Sequence, residues 1–325
     1  MPSIAAYDFS DFVETTCFLK GQPAFALADG TLRLPAGGER TLTLHEGGLL
    51  AAVYDPFGRR LLSGGEDGRV VATADGAAVS EIAAIGRKWV GAVAGGPGGA
   101  VAFASGRSAF FKPEKGAPKE LRHERTVEGV AFAPKGTRLA TARYDGASLY
   151  FPATDAAPVS LDWKGAHLGV GFSPDGRFLV TMMQENALHG WRVEDGRHMR
   201  MTGYPAKVKG WSWSAKGRFL ATTGAPAAIL WPFSGKDGPM GKAPLELGTR
   251  GDSMVTAVAC HPAEEMLAIG YQDGMILAVR FADSKEALLR RGGTSPVRTM
   301  AWDADGGLIA FGAENGEAGV VDIAG

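Results

Sequence analysis

The chain contains few cysteines, only Cys17 and Cys260 in 325 residues, so the disulfide framework of a small secreted domain is excluded. It also lacks any run of 18 apolar residues, and no transmembrane helix is therefore predicted. The first residues, Met1 to Asp8, have neither the basic segment nor the apolar segment of a secretory signal. Together these absences predict a cytoplasmic protein without a membrane partner.

Neither sign of charge dominates the sequence. The 34 lysines and arginines are balanced by 35 aspartates and glutamates, and the net charge is −1. A protein that attracts nucleic acid or an anionic membrane through its overall field needs an excess of cations. We therefore do not expect nucleic acid as a partner, and a local basic face would touch RNA only weakly.

The chain does have a recurring five-residue phrase. It reads Phe-Ala-Pro-Lys-Gly from Phe132 to Gly136 and Phe-Ser-Pro-Asp-Gly from Phe172 to Gly176. Looser copies bring the number of repeat units to eight, and they begin at Cys17, Tyr54, Ala94, Trp213, Cys260 and Trp302. Successive copies are 37 to 47 residues apart, a period that is typical of propeller repeats.

Each repeat unit carries four short apolar runs, as the fourth unit illustrates. Its runs are Val127–Phe132, Leu139–Ala142, Ser148–Phe151 and Val159–Trp163, and the last one alternates like a half-exposed strand. In five units an Asp-Gly or Asn-Gly dipeptide follows the second run, at Asp29, Asp67, Asp145, Asp273 and Asn315. These dipeptides tolerate the positive φ of a tight turn, so the second and third runs are predicted to form a hairpin.

These patterns predict an all-β fold and a single domain over residues 1–325. The expected architecture is a closed β-propeller of four-stranded antiparallel blades, with eight blades as the first expectation and seven as the alternative. The eighth unit stops after its third run, which leaves its blade one strand short. The N-terminal segment Ile4–Phe9 has no other role, and we expect it to complete this last blade.

The order of these elements resembles the WD40 repeat over essentially the whole chain. The resemblance implies a propeller that presents loops to a protein partner. Two family features are missing, because Trp191 and Trp231 are not followed by aspartate and no Gly-His pair precedes the first strands, although His123 and His167 fall near that place. The resemblance therefore implies that the hydrogen-bonded His–Asp network of the family is mostly absent, and the chain is identified as a divergent member.

The cysteines and histidines show no metal-binding pattern. Both cysteines occupy the repeat position held by Phe132 and Phe172, which predicts buried structural thiols. The six histidines show neither His-x-His nor His-Glu-x-x-His spacing, and Cys260-His261 lacks further ligands. We therefore expect neither a metal nor a cofactor.

An enzyme, or a small-ligand or metal binder, that uses the central channel is the alternative function. The positions that begin the first strands would line that channel, and they supply Glu14, Glu128, Lys209 and Arg298 among mostly apolar residues. This set contains no carboxylate pair and no histidine cluster, which favours a protein that is not an enzyme. Three or more converging His, Asp or Glu side chains at the channel mouth would favour the alternative.

The favoured function is a non-catalytic scaffold whose loops bind a protein or peptide partner. The resemblance places many partners of the family on the loops that lead into the first strands. The residues predicted to contact the partner are Lys88, Trp89, Arg125, Glu128, His167, Lys207, Lys209, Asp252, Met254 and Arg298. Tryptophan and arginine are the residue types that most often anchor interfaces. We expect a monomer outside its complexes.

Overall fold

The computed structural model describes residues 2–323, which form thirty β-strands and one short 3-10 helix at Pro97–Gly99. In the first half of the chain the strands are β1 (Ser3–Asp8), β2 (Val13–Leu19), β3 (Gln22–Leu27), β4 (Thr31–Leu34), β5 (Arg40–Thr43), β6 (Leu49–Asp55), β7 (Arg60–Gly65), β8 (Arg69–Thr73), β9 (Ser80–Ala84), β10 (Ala92–Gly95), β11 (Val101–Ser105), β12 (Ser108–Lys112), β13 (Lys119–Arg122), β14 (Val127–Phe132), β15 (Leu139–Tyr150) and β16 (Val159–Phe172). In the second half they are β17 (Phe178–Met183), β18 (Leu188–Arg192), β19 (His198–Met201), β20 (Trp211–Trp213), β21 (Phe219–Thr222), β22 (Ala228–Pro232), β23 (Leu245–Leu247), β24 (Val255–Cys260), β25 (Met266–Tyr271), β26 (Ile276–Arg280), β27 (Glu286–Arg290), β28 (Val297–Trp302), β29 (Leu308–Ala313) and β30 (Glu317–Asp322).

All strand pairs in the described part of the chain are antiparallel, and they build seven sheets. Six sheets have four strands, in the orders β2-β3-β4-β5, β6-β7-β8-β9, β10-β11-β12-β13, β20-β21-β22-β23, β24-β25-β26-β27 and β1-β30-β29-β28. The seventh has six strands, in the order β14-β15-β16-β17-β18-β19. The prediction of an all-β propeller with four-stranded antiparallel blades is thus confirmed.

The expected count of eight separate blades is wrong, and the alternative count of seven is the one observed for residues 2–323. The reason is that the fourth and fifth repeat units share the six-stranded sheet. β15 contains the second and third runs of the fourth unit, and β16 joins the fourth run of that unit to the first run of the fifth. At this junction Tyr144 pairs with Ala166, and the Gly165 N–H donates to Asp145 Oδ1 (3.1 Å).

The Asp-Gly turns have the backbone conformation that the sequence predicts. Gly68 has a φ of 77°, and a Cβ there would lie 1.7 Å from the carbonyl oxygen of Gly86. Only glycine fits this position, because both the positive φ and the close approach of a neighbouring loop exclude a side chain. Inside β15, Asp145 and Gly146 both have positive φ, 65° and 130°, as a tight turn requires.

The N-terminal strand completes the last blade, as predicted. β1 pairs with β30 without a break in register, from Ser3 opposite Asp322 to Asp8 opposite Glu317. Beyond the strand, the Phe9 N–H donates to the carbonyl of Gly316 (3.1 Å). The rings of Tyr7 and Phe9 pack on Phe25, with ring centroids 5.8 and 5.3 Å away. Backbone pairing and apolar burial therefore both hold this strand in place.

Contacts divide the chain into two compact units. Unit 1 comprises residues 1–28, 33–40 and 203–325, and unit 2 comprises residues 29–32 and 41–202. Within unit 1 the first strands of successive repeats pack side by side in the order β20, β24, β28 and β2. Within unit 2 the corresponding order is β6, β10, β14 and β16. The loops that lead into these strands are therefore brought together separately in each unit.

The core of each unit consists of apolar side chains between neighbouring sheets. In unit 1, Val297, Phe311 and Ile276 are almost fully buried in one such cluster. In unit 2, Val70 and Phe103 are fully buried in another. Each sheet buries the faces that it turns toward its neighbours, which is how small four-stranded sheets become stable.

The two cysteines are free thiols in unit 1. Cys17 is buried as predicted, whereas Cys260 is only partly buried and its Sγ approaches the carbonyl of Ser212 (3.5 Å). Burial raises the pKa of each thiol to about 12. Thiols that do not ionise near neutral pH are poor nucleophiles and poor metal ligands.

No helix within residues 2–323 could cross a lipid bilayer.

Candidate functional site

A pocket of about 270 Å³ lies in unit 2, where β14, β15 and β16 meet. The residues that line it are Arg125, Thr126, Glu128, Tyr144, Ala166, His167 and Leu168. Two of them come directly before β14, and the rest belong to the three strands. The pocket therefore brings together three of the predicted contact residues, namely Arg125, Glu128 and His167.

Two glycines allow β14 and β16 to approach closely beside this pocket. A Cβ on Gly129 would lie 3.1 Å from the Cα of Gly169, which leaves little room for a side chain on either strand. The preceding residues, Glu128 and Leu168, are lining residues of the pocket. The close backbone approach thus sets the spacing of the two side chains and makes the pocket narrow at this point.

His167 is a rigid part of the pocket wall. Its side chain is fully buried, and its Nε2–H donates to the carbonyl of Trp163 (2.9 Å). Nδ1 accepts from the hydroxyl of Thr181 (2.7 Å). Burial lowers the pKa of His167, so the imidazole is neutral at physiological pH. With both nitrogens engaged, His167 shapes the pocket and has no free polar group to offer a partner.

The other lining residues present exposed groups. Arg125, Thr126 and Glu128 are exposed, and Tyr144 exposes 50% of its surface. An aromatic ring, a cation and a carboxylate around one concave site provide both apolar and charged contacts. Such a combination can recognise a peptide or protein surface.

Two further predicted residues precede β10, the neighbour of β14 in unit 2. Trp89 exposes 64% of its surface, the largest fraction among the exposed large hydrophobic residues of the described chain. Lys88 is also exposed, and it lies close enough to Glu120 for their charges to interact. Glu120 belongs to the outer strand β13.

The remaining five predicted residues lie in unit 1 and differ in their accessibility. They are Lys207, Lys209, Asp252, Met254 and Arg298. Lys209 and Asp252 are exposed, whereas Lys207, Met254 and Arg298 are partly buried. Asp252 lies 3.5 Å from Arg250 in a surface ion pair.

Arg298 is occupied by contacts within unit 1. Its Nη2 donates to Glu14 Oε1 (3.2 Å), and its guanidinium lies 5.6 Å from the centre of the Phe12 ring. Burial raises the pKa of Glu14, and the attraction of Arg298 opposes this rise. Arg298 therefore serves first to neutralise a half-buried carboxylate. Within residues 2–323, no group of three or more His, Cys, Asp or Glu side chains could hold a metal ion.

Tyr144 was missed by sequence reasoning, although it lines the pocket. The sequence places it directly before Asp145-Gly146, and a residue there is naturally interpreted as part of a turn. Its exposure and its position beside Ala166 and His167 follow from pairing between the fourth and fifth units. An exposed aromatic residue next to a predicted turn was the available signal.

One hydrogen-bonded His–Asp network is present, in the second repeat unit. His45 is buried; its Nδ1–H donates to Asp67 Oδ1 (3.0 Å) and its Nε2 accepts from Ser63 Oγ (2.9 Å). Asp67 also accepts from the backbone N–H of Glu46 and Arg69. The network ties the loop before β6 to the turn between β7 and β8.

In unit 1, different side chains form a comparable network in the sixth repeat. The indole N–H of Trp231 donates to the Tyr204 hydroxyl (2.6 Å), which in turn bonds to Thr222 Oγ1 (2.6 Å). Tyr204 lies nine residues before the phrase at Trp213, as His45 lies nine residues before that at Tyr54. The same repeat position thus fixes its loop with a tyrosine in one unit and a histidine in the other.

Comparison with known proteins agrees with these features. Residues 39–71 match the family model described as WD domain, G-beta repeat, and this segment contains the whole His45–Ser63–Asp67 network. No curated protein sequence matches the chain. Among solved structures, a crystal structure of the computationally designed Ika8 protein superposes with a TM-score of 0.76 at 17% identity, covering 97% of this chain and 98% of that chain.

The designed protein shows only that the fold is shared, because identity is low. The matched repeat, the recurring phrase and the antiparallel four-stranded sheets are independent indications of one family. Residues 39–71 thus match a WD40 repeat, and the antiparallel sheets of the described residues resemble the blades of a β-propeller.

Proposed function

We propose that this protein is a non-catalytic scaffold that binds a protein or peptide partner through unit 2. The proposed surface, called the aromatic surface below, consists of Trp89, Arg125, Glu128 and Tyr144. The observation that carries the proposal is the pocket, which places Arg125, Glu128 and Tyr144 around one concave site. WD40 propellers are typically protein-interaction scaffolds, which agrees with this assignment.

The residue types of the aromatic surface support a protein partner. Trp, Tyr and Arg are enriched among the residues that dominate binding energy at protein interfaces. Trp89 and Tyr144 expose 64% and 50% of their surfaces, so docking would remove large apolar areas from water. The strands behind them are paired along their length, and a rigid support lowers the entropy lost when a partner binds.

The test compares two double variants that each remove two exposed aromatic residues from unit 2. Trp89→Ala/Tyr144→Ala changes the aromatic surface, whereas Tyr54→Ala/Phe57→Ala changes the end of β6 and the residues after it. Quantitative affinity capture with mass spectrometry measures which proteins each variant retains relative to the unchanged chain. We expect the first variant to lose at least about tenfold of a specific partner, since interface anchors are worth 2 kcal/mol or more.

The matched control decides the interpretation. Both variants should melt within about 2 °C of the unchanged protein, because substitutions at exposed positions have small effects on stability. Retention of every partner by Trp89→Ala/Tyr144→Ala would contradict the proposal. An equal loss in both double variants would also contradict it, because the effect would then not belong to the aromatic surface.

A further inference from the structure

A cluster of stacked aromatic rings fills one face of the six-stranded sheet in unit 2. The imidazole of His189 stacks on the indole of Trp163, with centroids 4.2 Å apart and planes 19° apart. Trp191 meets the same imidazole edge-on at 4.7 Å, and His198 stacks on it at 5.3 Å. Trp163 and His198 also contact each other, at 4.7 Å. His189 is thus in contact with the rings of Trp163, Trp191 and His198.

The position of His189 is unusual for a histidine. Its side chain is fully buried, and among the described residues neither Nδ1 nor Nε2 has a hydrogen-bond partner. Buried polar groups in native proteins are nearly always hydrogen-bonded, and an unsatisfied group costs free energy. The folded sheet tolerates this cost at neutral pH because an uncharged imidazole is a flat aromatic ring that stacks well.

A proton on His189 would find no stabilising partner. The charged and titratable groups that face it are His167 from β16 and His198 and Arg200 from β19, and each of these opposes a positive charge. Burial and these neighbours lower the pKa of His189 to about 3. His45, by contrast, lies against the carboxylate of Asp67. The surroundings of His189 therefore disfavour the protonated form of its imidazole.

We propose that the cluster of Trp163, His189, Trp191 and His198 is an acid-sensitive latch, which holds β19 on the sheet at neutral pH and releases it in acid. β19 is the outermost strand of the sheet, and within residues 2–323 it pairs only with β18. His189 lies opposite Arg200 and Trp191 lies opposite His198 in that pair. Separation of the two strands is the smallest movement that gives His189 access to water.

The direction of the pH effect follows from proton uptake. The latched imidazole stays neutral, whereas an imidazole in the released state has its ordinary pKa near 6.5. Below that pH, each proton bound only by the released state shifts the equilibrium tenfold per pH unit toward release. The latch is therefore closed above pH 7 and is progressively weakened as the pH falls toward 4.

Two methionines of β19 report on release. Met199 and Met201 are almost fully buried, with 4% and 1% of their surfaces exposed, and they would reach solvent when β19 leaves. Met183 on β17 is equally buried, at 2%, and serves as the internal reference within the same sheet. A pulse of hydroxyl radicals followed by mass spectrometry measures the oxidation of each methionine between pH 7.5 and 4.5.

We expect oxidation of Met199 and Met201 to rise at least about tenfold between pH 6.5 and 4.5, while Met183 stays protected. His189→Phe keeps an aromatic ring but cannot bind a proton, and it should abolish the rise. Arg200→Glu changes an exposed residue and places a carboxylate opposite His189, which brings the pKa of the latched imidazole closer to that of the released one, so it should make the rise smaller. This second variant keeps the test decisive should His189→Phe fold poorly.

Three results would overturn the proposal. One is that Met199 and Met201 stay protected at pH 4.5. Another is that Met183 becomes oxidised in step with them, because the whole sheet would then unfold and no latch would exist. The third is that Arg200→Glu has the pH profile of the unchanged protein, because His189 would then not be the group that senses acid.

Discussion

Unit 1 and unit 2 use the same repeat but differ in the side chains that fix their loops. Unit 2 contains five of the six histidines, namely His45, His123, His167, His189 and His198. Unit 1 contains His261, whose two ring nitrogens bond to backbone groups of Glu264 and Gly306. At the turn that corresponds to Asp67, unit 1 has Asp273, which is held by Arg250 (2.7 Å) instead of by a buried imidazole.

The difference shows that one fold position can be stabilised by groups that lose their effect at different pH, the histidine in weak acid and the aspartate only in stronger acid. An arginine stays charged at every pH at which the protein is folded, so the Arg250–Asp273 pair is lost only when the carboxylate is protonated. A histidine that is buried and neutral in the folded state instead contributes less to stability as soon as the pH is low enough for the unfolded chain to bind a proton at that residue. Burial lowers the pKa of His123 to about 4, which makes it another such group in unit 2.

Deletion of residues 1–9 should lower the thermal stability more than any other change proposed here. The contacts that it removes all lie in unit 1. The deletion removes the six pairs between β1 and β30 and the packing of Tyr7 and Phe9 on Phe25. Loss of two packed aromatic rings alone is worth about 3–5 kcal/mol. We expect a melting temperature lower by roughly 10 °C in calorimetry.

The matched control for this deletion is Ile4→Ala, which leaves the strand in place and truncates a side chain that is 41% exposed. It should change the melting temperature by no more than about 2 °C. A deletion variant that melts with the unchanged protein would show that β1 contributes nothing to the last blade.

The two equivalent turns should respond differently to loss of their aspartates. Asp67→Ala leaves the buried His45 without its acceptor, and an unsatisfied buried group costs about 1–3 kcal/mol. Asp273→Ala breaks an ion pair with a more exposed Arg250, which is worth under about 1 kcal/mol. Denaturant titration of both variants measures the difference. Equal losses would mean that the buried imidazole adds nothing beyond the turn itself.

The smallest effect is expected at Trp89. Because 64% of this side chain is exposed, Trp89→Ala should lower the free energy of unfolding by less than about 0.5 kcal/mol. Thermal and denaturant melts of the single variant measure this value. A loss above about 1 kcal/mol would show that the Trp89 side chain packs between sheets. Trp89 would then not belong to the aromatic surface.

Much of the fold could be predicted from local pattern. Alternating apolar runs predict strands, and Asp67-Gly68 and Asp145-Gly146 predict turns whose positive φ the structure confirms. The missing strand of the eighth unit predicted the pairing of β1 with β30. The number of sheets could not be predicted, because hydrogen bonds between successive units, such as the pairing of Tyr144 with Ala166, leave no local mark.

The candidate site was predicted less completely. The repeat period puts Arg125 in the loop before a first strand and Glu128 within that strand, and both residues line the pocket. Tyr144 was missed because a turn signal explained its neighbourhood. The burial of His167 was also missed, because an apolar–polar pattern cannot distinguish a polar side chain at the surface from one satisfied inside.

The sequence by itself determined the repeat, its antiparallel strands, the tight turns and the strand supplied by the N-terminus. These features depend on backbone conformation and on period-two alternation, which are properties of a few adjacent residues. Tertiary structure alone decided that two repeat units share a sheet, that Arg298 neutralises Glu14, and that His189 lies enclosed among rings. Those outcomes depend on contacts between residues far apart in the chain, where geometry and desolvation, not local pattern, set the energy.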